Sequence, residues 1–396
     1  MDELAYALIT PYSILKSRTG GIIGRLVAHA RLTLAGVRMF IFSDEFISAY
    51  RDMMAPPGAD PNTVQAWKRY VQENLSEGNP WGFLPRCMVL LFKGPNAVWH
   101  LKNDVIGSFT EQPVGDTIRG TYGDFIRGPD GQIRYFEPAV ITAPTAELNI
   151  PHLELLAKYS DTDGGIFTGR CKYPPGSKIE ASLVILKPDN FERPTRRPGN
   201  IIDVFSRTGL RIVGTKLFNM TVAQAEEFYE PLRKLFLKRL QPNLTQELYG
   251  RLHNAFAFPF TMADADRIAE TLAQRNAQAE FNRIIEYMTA VNPEEVSDPQ
   301  QKATASRTKC LAMIYEGPDA ISSIRRFLGS TDPTKAEAAT VRSEYGRDLM
   351  RNGAHASDSV HSAGRERKIV GMWEESGQSD FKRIIEEHLE QVSGRK

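Results

Sequence analysis

The stretch "CLAMIYEGPDAISSIRRFLGST" (310–331) combines an apolar strand, a Gly-Pro-Asp turn that opens a helix, and a Leu-Gly pair that closes it. Residues 87–108, "CMVLLFKGPNAVWHLKNDVIGS", repeat that order, with Gly-Pro-Asn and Ile-Gly at matching places. Two segments this similar within one chain of 396 residues indicate an internal duplication. Whatever fold one segment adopts, we expect the other to adopt as well.

A second pair of matching segments lies upstream of the first pair. Residues 4–53 and 180–232 each show an apolar run that ends before a proline, a polar turn and a helical period. A strand of alternating character and a capped helix follow in both. Together with the downstream segment, each copy counts out as β-α-β-β-α-β, which is the ferredoxin-like order. The sequence therefore predicts an α+β fold with two tandem ferredoxin-like domains.

The predicted domains cover residues 1–145 and 180–396, and a Gly- and Pro-rich segment at 146–179 connects them. Each copy carries an insertion before its third strand, at about 54–86 in the first and about 240–308 in the second. The second insertion has apolar residues at helical spacing and predicts two or three added helices. These helices would either pack on the core or form a lid that sets specificity.

The composition narrows the classes of partner. Lysine plus arginine (49) nearly cancels aspartate plus glutamate (48), so no overall field favours nucleic acid or a membrane surface. Three cysteines lie far apart without CxxC spacing, which argues against zinc and against disulfides. No secretory signal or long apolar run is present, so we expect a soluble cytoplasmic protein.

The candidate nucleophile is His355 in "RNGAHASDSVHSAGRE" (351–366). Ser357 follows it, Ser359 can cap the next helix, and a helix from there would bring Glu366 beneath the strand that carries His355. A carboxylate that accepts one ring N–H fixes the tautomer and leaves the lone pair on the other nitrogen. Beside phosphate-binding cations, such an imidazole is a nucleophile for phosphorus.

Cations for a local anion site are present in the same copy. Lys187 ends the first strand in "LVILKPDNF", and Arg325 lies on a helix with Thr331 just past its end. Arg342 sits in an irregular loop. Arginine offers forked contacts and lysine a point charge, which together match the charges of a nucleotide's phosphates.

At these residues the sequence resembles the nucleoside diphosphate kinase family, over both copies apart from their insertions. The motifs that carry the resemblance are the strand-ending Lys-Pro-Asp, the Leu-Gly-x-Thr after an arginine, and Arg-Asn-x-x-His-x-Ser-Asp-Ser. The resemblance implies transfer of a γ-phosphate to a nucleoside diphosphate through phosphohistidine, with Mg²⁺ on the nucleotide phosphates. It also implies that domains pair edge to edge, which here would give a pseudo-dimer within one chain, with further homo-oligomers possible.

The resemblance assigns roles to ten residues by position. The catalytic residues would be the phosphorylated His355, its orienting partner Glu366, Ser357, Lys187 and Tyr229. The nucleotide would be held by Lys187, Arg325, Thr331 and Arg342 at the phosphates, Asn352 at the ribose and Leu349 against the base. The chain departs from the family at Ala356 and at Arg-Ser-Glu-Tyr (342–345), and no aromatic residue of the 240–308 insertion can be matched to the family's base-stacking position. Phe256, Phe258 and Phe260 are candidates by residue type alone.

The first copy lacks most of this set. Thr10 stands in place of the lysine, Asn103 of Arg325, and Phe109 of the threonine, while Tyr135 or Phe136 lies nearest the position of the nucleophile. Only the loop arginine is kept, as Arg119. We therefore expect a catalytically inactive first domain.

Three functions remain open. The leading one is a nucleoside diphosphate kinase. The alternative is a nucleotide-binding assembly or regulatory protein with weak or no kinase activity, and transfer from His355 to a protein is a third. The intact residue set of the second copy favours the enzyme.

Overall fold

A computed structural model describes residues 2–55, 58–107, 115–130, 132–373 and 379–394, with the backbone alone at 234 and 237–239. The strands are β1 Glu3–Ile9, β2 Thr33–Phe40, β3 Cys87–Gly94, β4 Asp124–Arg127, β5 Ile133–Glu137, β6 Val140–Ile141, β7 Ile179–Leu186, β8 Arg211–Phe218, β9 Cys310–Pro318 and β10 Ala354–Ala356.

The helices of the first half are α1 Pro11–Leu15, α2 Thr19–His29, α3 Asp44–Asp52, α4 Pro61–Asn74, α5 Ala97–Trp99, α6 Ile118–Tyr122 and α7 Ala146–Lys158. Those of the second half are α8 Arg197–Ser206, α9 Val222–Leu252, α10 Met262–Thr289, α11 Pro299–Lys302, α12 Ala320–Leu328, α13 Val341–Tyr345, α14 Val360–Ile369 and α15 Asp380–Val392. A π-helical stretch, His100–Ile106, continues α5, and short 3₁₀ turns cover Pro188–Asn190, Pro293–Glu295 and Pro333–Lys335.

Two four-stranded antiparallel sheets share one topology. The orders β2-β3-β1-β6 and β8-β9-β7-β10 both place the copy's second, third, first and fourth strand side by side. Even the irregularities recur, since a bulge falls between Leu34 and Gly36 in β2 and between Ile212 and Gly214 in β8. The predicted ferredoxin-like α+β fold is confirmed in both copies.

The two sheets meet through their edge strands. Strand β2 lies against β8, and α2 crosses α8 so closely that a Cβ on Gly199 would overlap the carbonyl oxygen of Gly20. The segment after α7 joins both edges: the amide of Ile41 donates to Asp163 O at 2.9 Å, and the amide of Phe167 donates to Val213 O at 2.8 Å. The end of the chain, α15, packs on α7 and β2. The two copies thus share one compact unit.

The chain divides into compact units differently from the predicted domain bounds. One unit holds Met1–Phe218 with Cys310–Lys396, and the other holds Asn219–Lys309. Part of the segment expected to connect the copies is α7, whose N-cap Thr145 corresponds to Ser359 before α14. The bounds 1–145 and 180–396 therefore stay a proposal.

The second unit is a helical hairpin. A capping box of Thr221 and Gln224 starts α9, which runs unbroken to Leu252 and so begins before the expected insertion at 240–308. Helix α10 packs along it, with the Arg233 guanidinium 4.3 Å from the ring centroid of Phe281. None of the described helices combines the length and the apolar character needed to cross a membrane.

Candidate active site

The site of the second copy forms where β7 and β10 end side by side. In the register of this pair His355 lies opposite Ile185, and the amide of Lys187 donates to Gly353 O at 3.1 Å. Gly353 has φ +82°, a conformation that favours glycine, and it turns the chain into β10. The backbone therefore sets Lys187 and the histidine strand next to each other.

The imidazole of His355 is fixed by a buried carboxylate. Nε2 of His355 lies 3.0 Å from Oε2 of Glu366, and the hydroxyl of Ser357 donates to the same oxygen at 2.6 Å. Burial acts to raise the pKa of Glu366, but the neighbouring His355 and the Ser357 hydroxyl outweigh it and lower that pKa. The carboxylate is ionised and accepts both bonds. Nε2 is then the donor, and in the neutral ring the lone pair lies on Nδ1.

A chain of hydrogen bonds joins the cations to this strand. The ammonium of Lys187 donates to Oδ1 of Asn352 at 2.7 Å, and Nδ2 of Asn352 donates to the carbonyl oxygen of Thr331 at 3.1 Å. Arg342 donates to the Thr331 hydroxyl at 3.3 Å and to the carbonyl oxygen of Ala354, beside the histidine, at 3.5 Å. Four of the predicted phosphate- and ribose-binding residues thus form one continuous network.

Burial perturbs the electrostatics of this network. Desolvation lowers the pKa of Lys187 to about 8, and the charge of Arg342 acts in the same direction. Both side chains are 8% exposed. Two cations held close together in a partly dehydrated site favour a polyanionic ligand.

The predicted set also includes Arg325, Leu349 and Tyr229. Arg325 and Thr331 are exposed, and the charge of Arg325 contributes to lowering the pKa of Asp358, after the Ser362 hydrogen bond. Leu349 is 64% exposed, and its carbonyl oxygen accepts from Nδ2 of Asn352 at 3.0 Å. Tyr229 lies in α9 of the second unit, and its place beside His355 stays a prediction.

Sequence reasoning missed the residues that shape the turn after Lys187. Nδ2 of Asn190 donates to the carbonyl oxygens of Lys187 and Gly353, at 2.9 and 2.6 Å. Arg197 donates to Asp189 and to the carbonyl oxygen of Tyr345, both at 2.6 Å. The signal was present in "KPDN", because Asp and Asn after a proline form side-chain-stabilised turns.

The first copy keeps the backbone arrangement of the site but lacks the lysine and the histidine. Arg119 and Arg342 each donate to the carbonyl of the glycine that closes the preceding helix, at 2.7 and 3.0 Å. Thr10 occupies the place of Lys187, as the amide of each donates to the residue just before the final strand. The position of His355 is taken by Ile141, which pairs with Leu8 of β1. The prediction of Tyr135 or Phe136 for that position is wrong, because β4 and β5 form a separate hairpin ahead of β6.

The helical segment that follows the third strand of each copy, β3 or β9, also differs between the copies. The π-helical stretch puts one more residue between the strand-ending and helix-closing glycines of the first copy than α12 has in the second. Counting from the closing glycine puts Asn103 at the place of Arg325, as predicted, and counting from the strand puts Lys102 there. Phe109 lies outside the described residues.

In the first copy, side chains of its own insertion surround Glu137 and Arg119. Helix α4 brings the Tyr70 hydroxyl within 2.8 Å of the buried Glu137 carboxylate, which also accepts from Thr10 at 3.1 Å. The guanidinium of Arg119 lies 5.4 Å from the ring centroid of Trp67, on the same helix. Burial raises the pKa of Glu137. Side chains from the 54–86 insertion therefore contact the arginine that both copies share and its buried surroundings.

The known proteins that match this chain cover about half of its length. The sequence profile of the family described as nucleoside diphosphate kinase matches residues 180–246 and 243–373. A nucleoside diphosphate kinase of Staphylothermus marinus is 31% identical over 191 residues, which is 48% of this chain and 92% of that protein. The enzyme of that name from Kosmotoga olearia is 28% identical over 211 residues, covering 53% of this chain and 100% of the relative.

Solved structures of the same name are also similar. A nucleoside diphosphate kinase of Aquifex aeolicus matches with a TM-score of 0.30 at 24% identity, over 49% of this chain and 95% of its own. One from Encephalitozoon cuniculi matches with a TM-score of 0.30 at 21% identity, over 52% and 99%.

A histidine held by a carboxylate beside a network of cations fits the class of proteins that transfer phosphate through a nucleophilic histidine. Within that class, the chain belongs to the nucleoside diphosphate kinase family.

Proposed function

We propose that the chain is a nucleoside diphosphate kinase that works by a ping-pong reaction at His355. The hydrogen bond between Nε2 of His355 and Glu366, at 3.0 Å, carries the proposal, because it leaves the lone pair on Nδ1. In the first half-reaction Nδ1 attacks the γ-phosphorus of a nucleoside triphosphate, an N–P bond forms, and the bond to the bridging oxygen breaks. The nucleoside diphosphate leaves with that electron pair.

The second half-reaction reverses these steps on another nucleotide. A terminal oxygen of an incoming nucleoside diphosphate attacks the phosphohistidine, the N–P bond breaks, and the lone pair returns to Nδ1. The transition state is loose, so the protein contributes mainly position and charge. Lys187, Arg325, Arg342 and Thr331 would hold the phosphates, and Asn352 the ribose. Leu349 would contact the base, and Tyr229 would stand beside the histidine.

The side chains proposed to hold the phosphates are hydrogen-bond donors, and three of the four are cations. Such groups suit phosphate oxygens better than a metal ion. Mg²⁺ binds through few protein carboxylates and prefers substrate phosphates and water. The proposal therefore assigns Mg²⁺ to the β and γ phosphates of the nucleotide, where it offsets charge. No protein ligand to the metal is proposed.

The test is incubation with ATP labelled at the γ-phosphate, with magnesium, followed by treatment with acid or base. Label that survives base, is lost in acid and passes to added GDP supports the proposal. His355→Ala must abolish the label, and His361→Ala, on an exposed histidine of the same segment, must retain it. Binding of ADP without labelling by any triphosphate would favour the regulatory alternative instead.

We also propose that the two copies form, within one chain, the domain pair that the family resemblance implies. The contacts of β2 with β8 and of α2 with α8 support this arrangement. The first copy would then act as a structural partner of the active one.

A further inference from the structure

A cavity lies between the two copies, away from the histidine site. Its volume is about 230 Å³, enough for about eight water molecules at about 30 Å³ each. Residues of both copies line it, among them Ile14, Phe83, Arg86, Ile202, Arg211 and Tyr315. None of the residues proposed for phosphotransfer is among the lining residues.

The most unusual member of this lining is Arg86, which is 6% exposed. One of its terminal nitrogens donates to the carbonyl oxygen of Ile212, whereas its Nε has no hydrogen-bond partner. Within the described ranges, no carboxylate oxygen lies within 4.0 Å of its nitrogens. A buried guanidinium without an acidic partner is costly unless something else compensates its charge.

One neighbour of Arg86 adds a further positive charge. Arg211 lines the same cavity, and together with burial, the larger effect, its charge lowers the pKa of Arg86. Cys171, Tyr173 and Glu316 act on that pKa in the opposite direction. The oxygens of Glu316 already accept from the amide of Gly169 at 2.7 Å and from the hydroxyl of Tyr173 at 3.0 Å. The lining of the cavity thus includes two arginines, Arg86 and Arg211, and no acidic residue from the described part of the chain.

We propose that this cavity binds a small organic oxyanion, a carboxylate or a phosphate monoester on an apolar body. Guanidinium groups bind both oxyanions through forked, charge-assisted hydrogen bonds. The apolar body would contact Ile14, Phe83 and Ile202, which line the rest of the space. Because the site joins both copies, its occupant would strengthen their contact.

The test titrates the full chain with phenyl phosphate and with phenylacetate and follows the methyl NMR signals of Ile14 and Ile202. These signals report on this cavity, so binding at the histidine site does not enter the measurement. Saturating shifts with either anion support the proposal, and the tighter of the two identifies the preferred oxyanion. The uncharged 2-phenylethanol should bind at least about tenfold more weakly.

The variant Arg86→Met keeps most of the side-chain volume and removes the charge, and it should weaken anion binding by about tenfold or more. Arg283→Met, at an exposed ion pair with Glu280, is the matched control and should leave it unchanged. The proposal is overturned if neither anion shifts the signals, if the alcohol binds as well, or if Arg86→Met binds like wild type. Should Arg86→Met not fold, wild-type crystals with 4-bromophenyl phosphate decide: anomalous bromine signal in the cavity supports the site, and its absence overturns it.

Discussion

Raising the pH should weaken nucleotide binding through Lys187. Burial lowers the pKa of this lysine to about 8, so its ammonium is largely present at pH 7 and lost as the pH rises through 8. Bound phosphates favour the charged form and raise that pKa again. With a pKa of about 8, about a tenth of the free protein is protonated at pH 9, so the affinity for ADP should fall about tenfold between pH 7 and 9.

Calorimetry of ADP binding with magnesium, in buffers of different ionisation enthalpy, measures this linkage directly. Binding should take up about half a proton at pH 8 and about 0.9 at pH 9. Lys187→Met should bind about 10–100-fold more weakly at pH 7, with an affinity that no longer falls toward pH 9. Absence of proton uptake by wild type at pH 8–9, or equal uptake by the variant, would contradict this role of Lys187.

Three further substitutions test the carboxylate partner of His355, the helix contact between the copies and the buried hydrogen bonds of the first copy. Glu366→Gln should slow labelling of the histidine about 10–100-fold in quenched-flow assays, because the ring loses its ionised acceptor, whereas Glu387→Gln in an exposed ion pair should not. Gly199→Ala should lower the free energy of unfolding by about 1–3 kcal/mol in urea, whereas Gly250→Ala, with open space around its Cβ position, should raise it by about 0.5–1 kcal/mol. Tyr70→Phe should lower the free energy of unfolding by about 1–3 kcal/mol, because the buried carboxylate of Glu137 loses a hydrogen-bond donor. Equilibrium dialysis of the wild-type chain should find one bound ADP.

The repeated fold could be predicted because the residues that end the strands and helices of each copy can be recognised from the local sequence. Prolines after the first strand and glycines at the helix ends mark the same boundaries in both copies. Aligning the copies on these residues correctly gave Thr10 and Lys187 equivalent positions. The pairing of Glu366 with His355 also followed from one helix start, since Ser359 fixes where α14 begins. Short-range signals were sufficient at these points.

What could not be predicted depends on contacts distant in sequence. Strand β6 has two residues, Val140–Ile141, too few to show alternation, so only its pairing with β1 identifies Ile141 as the counterpart of His355. The packing of α4 in the first copy depends on Tyr70 meeting Glu137, 67 positions away. No local pattern announces such a contact.

The segment that joins the copies has a consequence for how the protein responds to dilution. Its backbone hydrogen-bonds to β2 at Ile41 and to β8 at Val213, within the same polypeptide. The effective concentration of one sheet around the other is therefore set by this covalent link and not by the amount of protein. Sheets that share a chain in this way stay together at nanomolar concentrations, where subunits held by the same surfaces alone would drift apart.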